Sequence, residues 1–522
     1  MSPYLPRTCL GPALALLGSV FATAPAVAEP AVRTSWGTIA EPRYPARICV
    51  TLPAALHSES GSADKIDADG KRTHPDHDRL QAAIDSCHGG AVKLVRGPGG
   101  EDAFLSSSLT LRSGVTMWID KGVTLFASRD PRDYDTGDGF CGTATTESHK
   151  CLPFISGRDV VGGGIVGEGT VDGRGGSRLL AGPNKGTSSW WDLAMLSKSG
   201  LRQNVFRLVQ LNGGSDLTLY RTTFQNSPNF HIVPSRFRGI TAWGIRILTP
   251  SLAYSVPGYE CPPKTTPAET KSATCFTPDT VKNTDGFDPS ESSRVLLAYS
   301  WISTGDDNVA IKAGGKTPSV DQVYAHNHFY YGHGMSIGSE TSAGAERILV
   351  SDLTADGMDS PVGNGLRIKS DASRGGRVRD VVFEHVCMRN EAHPLVFDTY
   401  YSDKSGTLLP DFRGIVVRDF RYVPGGRFGT GTSIFRGYRQ GKTALPVEIT
   451  IDGADFSGGM PRLSGKEQEA QLTLKGHNAF AGVIQSSPDK GVNVTVVPGG
   501  ITQVRECDHA WVPLESLLSG RR

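Results

Sequence analysis

Four short polar strings between residues 283 and 370 carry the residue types that chemistry needs. They read Asn283-Thr284-Asp285-Gly286-Phe287-Asp288, Gly305-Asp306-Asp307-Asn308, Gly332-His333-Gly334 and Arg367-Ile368-Lys369. Clustered carboxylates suggest general acid–base work, and paired cations suggest an anionic substrate. Three neighbouring Asp disfavour full ionisation, so one can keep a proton near working pH. Each string lies beside a short apolar or β-branched run such as Val309-Ala310-Ile311. Asp285 to Asp306 spans 21 residues and Asp306 to His333 spans 27. If each interval is one turn of a solenoid, all three groups reach one face.

The surrounding chain supplies such a scaffold. Only His77 to Cys87 reads as a clear helix, with Leu80, Ala83, Ile84 and Cys87 on one face and Gly89-Gly90 as its stop. Short strands follow, among them Val92–Val95, Val115–Ile119, Val123–Phe126, Leu217–Leu219, Val381–Phe383 and Leu472–Leu474. A unit of roughly 20–35 residues without intervening helices predicts an all-β solenoid, a β-helix. A propeller would need blades at about 40–50 residues, a pattern the chain lacks. Coils stack ~4.8 Å apart, so equivalent residues align. The helix would cap the open apolar end. The stretches 130–156 and 250–282 read as excursions that line a cleft. Asp306 and Asp307 are sequence neighbours, so both can face solvent only if Gly305 opens a bend.

The chain has 522 residues and a net charge of +1, so no global field draws it to nucleic acid or membrane. Gly 63 and Pro 32 favour many turns. Residues 1–28 read as a secretory leader: Arg7, the apolar run 10–21 and Ala26-Val27-Ala28. The domain plan is then leader 1–28, extension 29–69, β-helix 70–485 and C-terminal tail or last coil 486–522. Outside the leader eight cysteines remain, an even number that suggests disulfides in an exported chain. Cys141–Cys151 and Cys261–Cys275 would each staple a loop. No spacing of Cys or His resembles a metal site, and no metal or cofactor is expected. A capped solenoid needs no partner chain, so a monomer is expected.

Each residue also has a plainer reading. Asp beside Gly commonly makes a turn, and Asp288 before Pro289 is read that way and set aside. His333 between glycines could be a turn residue. Arg367 and Lys369 share one strand face and could be a solvated edge. Asn283 could ladder or bind substrate. His231 reads as a satisfied wall histidine. Asn493-Val494-Thr495 is a sequon by pattern.

The four strings, extended to Gly-Asp-Asp-Asn-Val-Ala-Ile-Lys from Gly305, Gly-His-Gly-Met-Ser-Ile-Gly-Ser-Glu from Gly332 and Gly-Leu-Arg-Ile-Lys-Ser-Asp from Gly365, resemble the signature motifs of glycoside hydrolase family 28. The version here is most similar to bacterial endo-polygalacturonases, and the likeness covers about residues 70–480. Four motifs in order and spacing are far more specific than one. The resemblance implies a right-handed parallel β-helix that hydrolyses polygalacturonate with inversion. It makes Asp306 the general acid, with Asp285 and Asp307 holding and deprotonating the water. His333 would orient the group, and Arg367 and Lys369 would bind a galacturonate carboxylate. A tyrosine near the cleft matches Val396–Tyr401, where Tyr401 fits better than Tyr400. Rival readings are a rhamnogalacturonan or exo-acting hydrolase of the family, a pectate lyase, and a non-catalytic polysaccharide-binding β-helix.

Overall fold

In the computed structural model, Met1 and residues 30–254, 275–358 and 360–519 are described. The leader and Cys261 lie outside them. The chain winds as a parallel β-helix. A 22-stranded sheet and a six-stranded sheet run along it, with nearly all their pairings parallel. Among the described residues no helix is long and apolar enough to cross a membrane.

The six-stranded sheet positions the polar strings. It stacks Val309–Ile311, Met335–Gly338, Asn364–Lys369, His393–Asp398, Thr432–Arg436 and Arg462–Leu463. Alternation sorts each strand into an inner and an outer row. Ile311, Ile337, Ile368, Phe397 and Phe435 are in register, point inward and are fully buried. Each such side chain contributes about 1.5–3 kcal/mol of burial. The outer rows carry Ser336 beside Arg367, and Gly338, Lys369, Asp398 and Arg436 in line. One register slip would bury the cations and expose the isoleucines, so the core fixes the site.

The expected helix forms at His77–Ser86 and buries Leu80, Ala83 and Ile84 against the core. Gln81 exchanges hydrogen bonds with the backbone of Thr110 (2.8 and 3.1 Å) and so closes an end strand. The ladder starts earlier than expected. Strand Ile48–Pro53 pairs in parallel with Gly90–Val95, inside the segment read as an extension, and Cys49–Cys87 ties it to the helix end. At the other end Val492–Val496 adds a last coil. Cys141–Cys151 is bonded as expected. Cys275 is disulfide-bonded, while its expected partner Cys261 is among the residues not described. Cys387–Cys507 is a further bond, spanning 120 residues.

Candidate active site

The three Asp arrive on two adjacent coils. Asn283 takes a left-handed φ of +56°, which turns the chain before Thr284 and Asp285. Buried His231 fixes this turn. Its backbone N–H donates to the Asp285 carbonyl (2.8 Å), and its Nδ1 lies 3.2 and 3.1 Å from the Thr284 and Asp285 carbonyls. Burial lowers its pKa to about 4, so it is a neutral wall residue as read from sequence. Gly305 and Asp306 do form a bend before strand Val309–Ile311. A Cβ at Gly305 would meet the Pro278 and Val281 carbonyls at 2.3 Å, so only glycine fits. The Gly305 N–H donates to Thr284 Oγ1 (2.9 Å), joining the two Asp-bearing turns. Asn308 points inward and ties the bend to the next coil. Its amide donates to the Tyr331 carbonyl (2.9 Å) and its oxygen accepts from the Gly334 N–H (2.9 Å).

Asp306 is the most open of the three, its side chain 19% exposed against 4% for Asp285 and 3% for Asp307. Its Oδ1 is 3.0 Å from His333 Nδ1, and the His333 N–H donates to its carbonyl (2.9 Å). Asn283 leans on its Oδ2 from the other side, at 3.3 Å through the backbone N–H. Asp307 accepts from Ser336 Oγ (2.9 Å) and Lys369 Nζ (2.6 Å), with Arg367 Nη1 at 3.5 Å. The sequence reading separates the cations from the carboxylates. The structure joins them, because Lys369, two coils on from Asp307, reaches back to it along one face. Tyr401 stands over both cations, its ring 5.1 Å from the Arg367 guanidinium carbon and 4.9 Å from Lys369 Nζ. Tyr400 instead stacks on Tyr438 and donates to the Arg439 carbonyl, so it is packed structure.

Two residues escape the sequence reading. Asp288, set aside as a turn residue, is fully buried and 3.0 Å from Lys312 Nζ. The same ammonium lies 3.6 Å from Asp285. Lys312 ends the quoted string Gly-Asp-Asp-Asn-Val-Ala-Ile-Lys, two residues after Ala310 and so on the outer face. That position was the available signal.

The electrostatics separate the carboxyls. Burial pushes Asp285 well above the carboxylate range, reinforced by Asp306 and Asp288 and opposed by Lys312. Burial also raises Asp288 to about 6 against the pull of Lys312. Asp306 is desolvated too, but His333 and then Lys369 hold it well below the usual range. Lys312 stays above its ordinary value, since Asp288 and Asp285 outweigh its burial. Asp285 Oδ1 is buried without a protein hydrogen-bond partner, as a site for water or a transferable proton would be. Asp306, Asp307 and His333 present ligand atoms within 4.8 Å of one another. Both Asp307 oxygens already serve Ser336 and Lys369, and two cations repel a third, so this donor set fits a metal poorly.

A groove of about 1000 Å³ leads away from Asn283 on the side opposite Arg367. It crosses the ladder Phe287, Ile232, Val209, Ile155 and Leu109. Those four steps amount to roughly 20 Å. Arg112, Lys150, Arg158, Arg202, Arg207 and Arg236 line it, and among the described residues no Asp or Glu does. Arg112 pairs with Asp85 (2.7 Å). Among the described residues Lys150, Arg158, Arg202 and Arg236 have no ion-pair partner. Lys150 to Pro153, in the first expected excursion, form part of the wall. Most of the second excursion lies outside the described residues.

Comparison with known proteins agrees with this architecture. The family model of Glycosyl hydrolases family 28 matches residues 89–489. A polygalacturonase of Ralstonia solanacearum is 50% identical over 519 residues, covering 97% of each chain. An endo-polygalacturonase of Pectobacterium carotovorum subsp. carotovorum is 39% identical over 417 residues, 79% of this chain and 88% of that one. The solved polygalacturonase from Erwinia carotovora ssp. carotovora superposes with a TM-score of 0.68 at 34% identity, covering 84% of this chain and all of that one. With the four polar strings on one face of a parallel β-helix, the chain belongs to glycosyl hydrolase family 28 and resembles the bacterial polygalacturonases.

Proposed function

We propose that the chain is an exported endo-polygalacturonase that hydrolyses α-1,4-galacturonosidic bonds with inversion. The observation that carries this is the coil-to-coil contact of Asp306 and Asp307 with His333, Lys369 and Arg367. These contacts support a site in which a proton donor, a water site and a carboxylate receptor stand side by side. Asp306, next to Asn283 at the end of the groove and the most open of the three carboxyls, donates to the glycosidic oxygen. Asp285 and Asp307, deeper in the wall, hold the water on the far side of the sugar. Arg367, Lys369 and Tyr401 receive the uronate after the scissile bond. Asn283 lies between the groove and Asp306 and orients the sugar before the cut. The bound uronate adds negative charge beside Lys369, which weakens the hold on Asp306 and favours its protonated form.

The long cationic groove supports endo action, since an internal stretch of an anionic polymer would lie along it. The disulfides Cys49–Cys87, Cys141–Cys151 and Cys387–Cys507 support an oxidising compartment, in keeping with the leader. The enzyme works as a monomer without a cofactor. Sizing the products of polygalacturonate over time tests the reading. Mid-length oligomers appear first, reducing ends form in excess EDTA, and NMR of the first product shows the β-anomer. Monomer released from the start would make the enzyme exo-acting. An unsaturated product absorbing in the ultraviolet would make it a lyase.

The two cations should respond differently. Arg367→Ala should raise KM about tenfold with a smaller change in kcat, because its contact with Asp307 is the longer one, 3.5 Å, and Lys369 still holds that carboxylate. Lys369→Ala should lower kcat as well, because it strips Asp307 of its 2.6 Å partner. Equal effects on KM alone would return Lys369 to a pure binding role.

A further inference from the structure

Resting on the hydrolase reading above, we infer that the C-terminal segment 500–519 is an external brace that sets the His333 turn in place, with Tyr330 as the positioning residue through which it acts.

The segment runs back along the solenoid, against the coil order. Ile501 N–H donates to Asp452 (2.8 Å) on one of the last coils. One coil earlier, the Val504 and Arg505 carbonyls accept from Arg421 (2.9 and 2.8 Å), and the Arg505 N–H donates to Asp419 (2.7 Å). The next coil back holds Cys387, bonded to Cys507, and Arg389, whose guanidinium stacks 4.3 Å over Trp511. The Tyr330 hydroxyl then donates to the Val512 carbonyl (2.8 Å). Finally Leu514 and Leu517, on helix Leu514–Ser519, bury against Leu248 and Tyr330, with Tyr331 and Met358 at the edge. The anchors thus step back from the Asp452 coil to that of Tyr330, and Leu248 lies two coils earlier still.

The end of this path is what matters for chemistry. Tyr330 and Tyr331 immediately precede Gly332-His333-Gly334. The Tyr331 carbonyl accepts from the Thr304 N–H (2.9 Å) and the Asn308 amide (2.9 Å), which bracket the Asp306–Asp307 bend. The turn at Gly332-His333-Gly334 packs closely on its neighbouring coils, with the Gly334 N–H donating to Asn308 Oδ1 (2.9 Å), and the brace holds it from outside through Tyr330. The brace thus adds an anchor outside the coil to the chain end from which His333 approaches Asp306 at 3.0 Å. A Cys387–Cys507 bond keeps the brace from peeling off its tip by halving its free length.

The test removes the tip and keeps the coils. Deleting 511–522 should lower kcat about tenfold with KM changed by less than about twofold, since misplacing a catalytic group by a fraction of an ångström acts on the chemical step. The alkaline limb of kcat should also move to higher pH, because His333 no longer holds Asp306 low. A loss of stability alone would not move that limb. Tyr330→Phe, which keeps the ring and loses the bond to Val512, should lie between wild type and Tyr330→Ala, and it serves if the deletion does not fold. Hydrogen exchange of the 328–336 stretch should quicken in the deletion and in Leu514→Ala/Leu517→Ala, whatever the substrate proves to be. A wild-type chain that leaves polygalacturonate intact would defeat the hydrolase reading only. Unchanged exchange at 328–336, or an active deletion with wild-type kcat and pH profile, would overturn the brace.

Discussion

Asp306→Asn is expected to lower kcat on polygalacturonate by about 10²–10⁴-fold with the fold intact. The amide keeps the volume of the carboxyl and can still accept the Asp307 N–H, which now donates to Asp306 Oδ1 at 2.9 Å. It cannot supply a proton to the leaving oxygen. Geometry and charge point to different carboxyls as the proton carrier. Asp306 alone is open enough to reach a glycosidic oxygen, yet Asp285 is the one pushed upward and Asp306 the one held low. We give the acid role to Asp306 because a buried Asp285 cannot touch the leaving group, whereas a uronate bound at Lys369 can raise Asp306. The pH profiles decide. Loss of the acid removes the alkaline limb, and loss of the base removes the acid limb. Asp306→Asn should flatten the alkaline limb and Asp285→Asn the acid limb. The opposite pattern would exchange their roles. The double variant should be little worse than either single one, because the residues act on one step.

Much of this was legible in the chain because a solenoid writes its structure locally. Each coil is a few alternating strands and turns, so strand type and the spacing of the strings are enough to align Asp285, Asp306 and His333. Ridges of isoleucine then forbid any slip. What the sequence hid depends on contacts between coils. Ile48–Pro53 is half exposed and separated from its partner strand by an irregular stretch, so nothing local marks it as the first rung. Cys141 and Cys151 are ten residues apart and read as a pair, while Cys387 and Cys507 meet only because the tail doubles back. Asp288 is the clearest case. Its neighbour Pro289 argues for a turn, and its burial becomes visible only when the next coil brings Lys312 against it.

That contact carries the second large effect. Lys312→Met should cost about 10²-fold in kcat/KM and move the acid limb to higher pH, with Lys312→Arg retaining much of both. The ammonium lies 3.0 Å from Asp288 and 3.6 Å from Asp285 and is the nearest positive charge opposing their upward shift. Removing it favours the protonated carboxyls, so the water loses its base until the pH is higher. Asp288→Asn acts with the opposite sign. It deletes a negative charge that raises Asp285, so the limb should move to lower pH. Stability should follow the same linkage. Both carboxyls bind protons more tightly in the folded state than in the unfolded chain, so stability falls as pH rises through that window, and Lys312→Met should steepen the fall. Two buried carboxylates without their cation cost about 3–5 kcal/mol once ionised. Thermal melts of the variant at acid and neutral pH should therefore diverge more than those of the wild type. A limb and a melting profile that ignore Lys312→Met would reduce the pair to a packing contact.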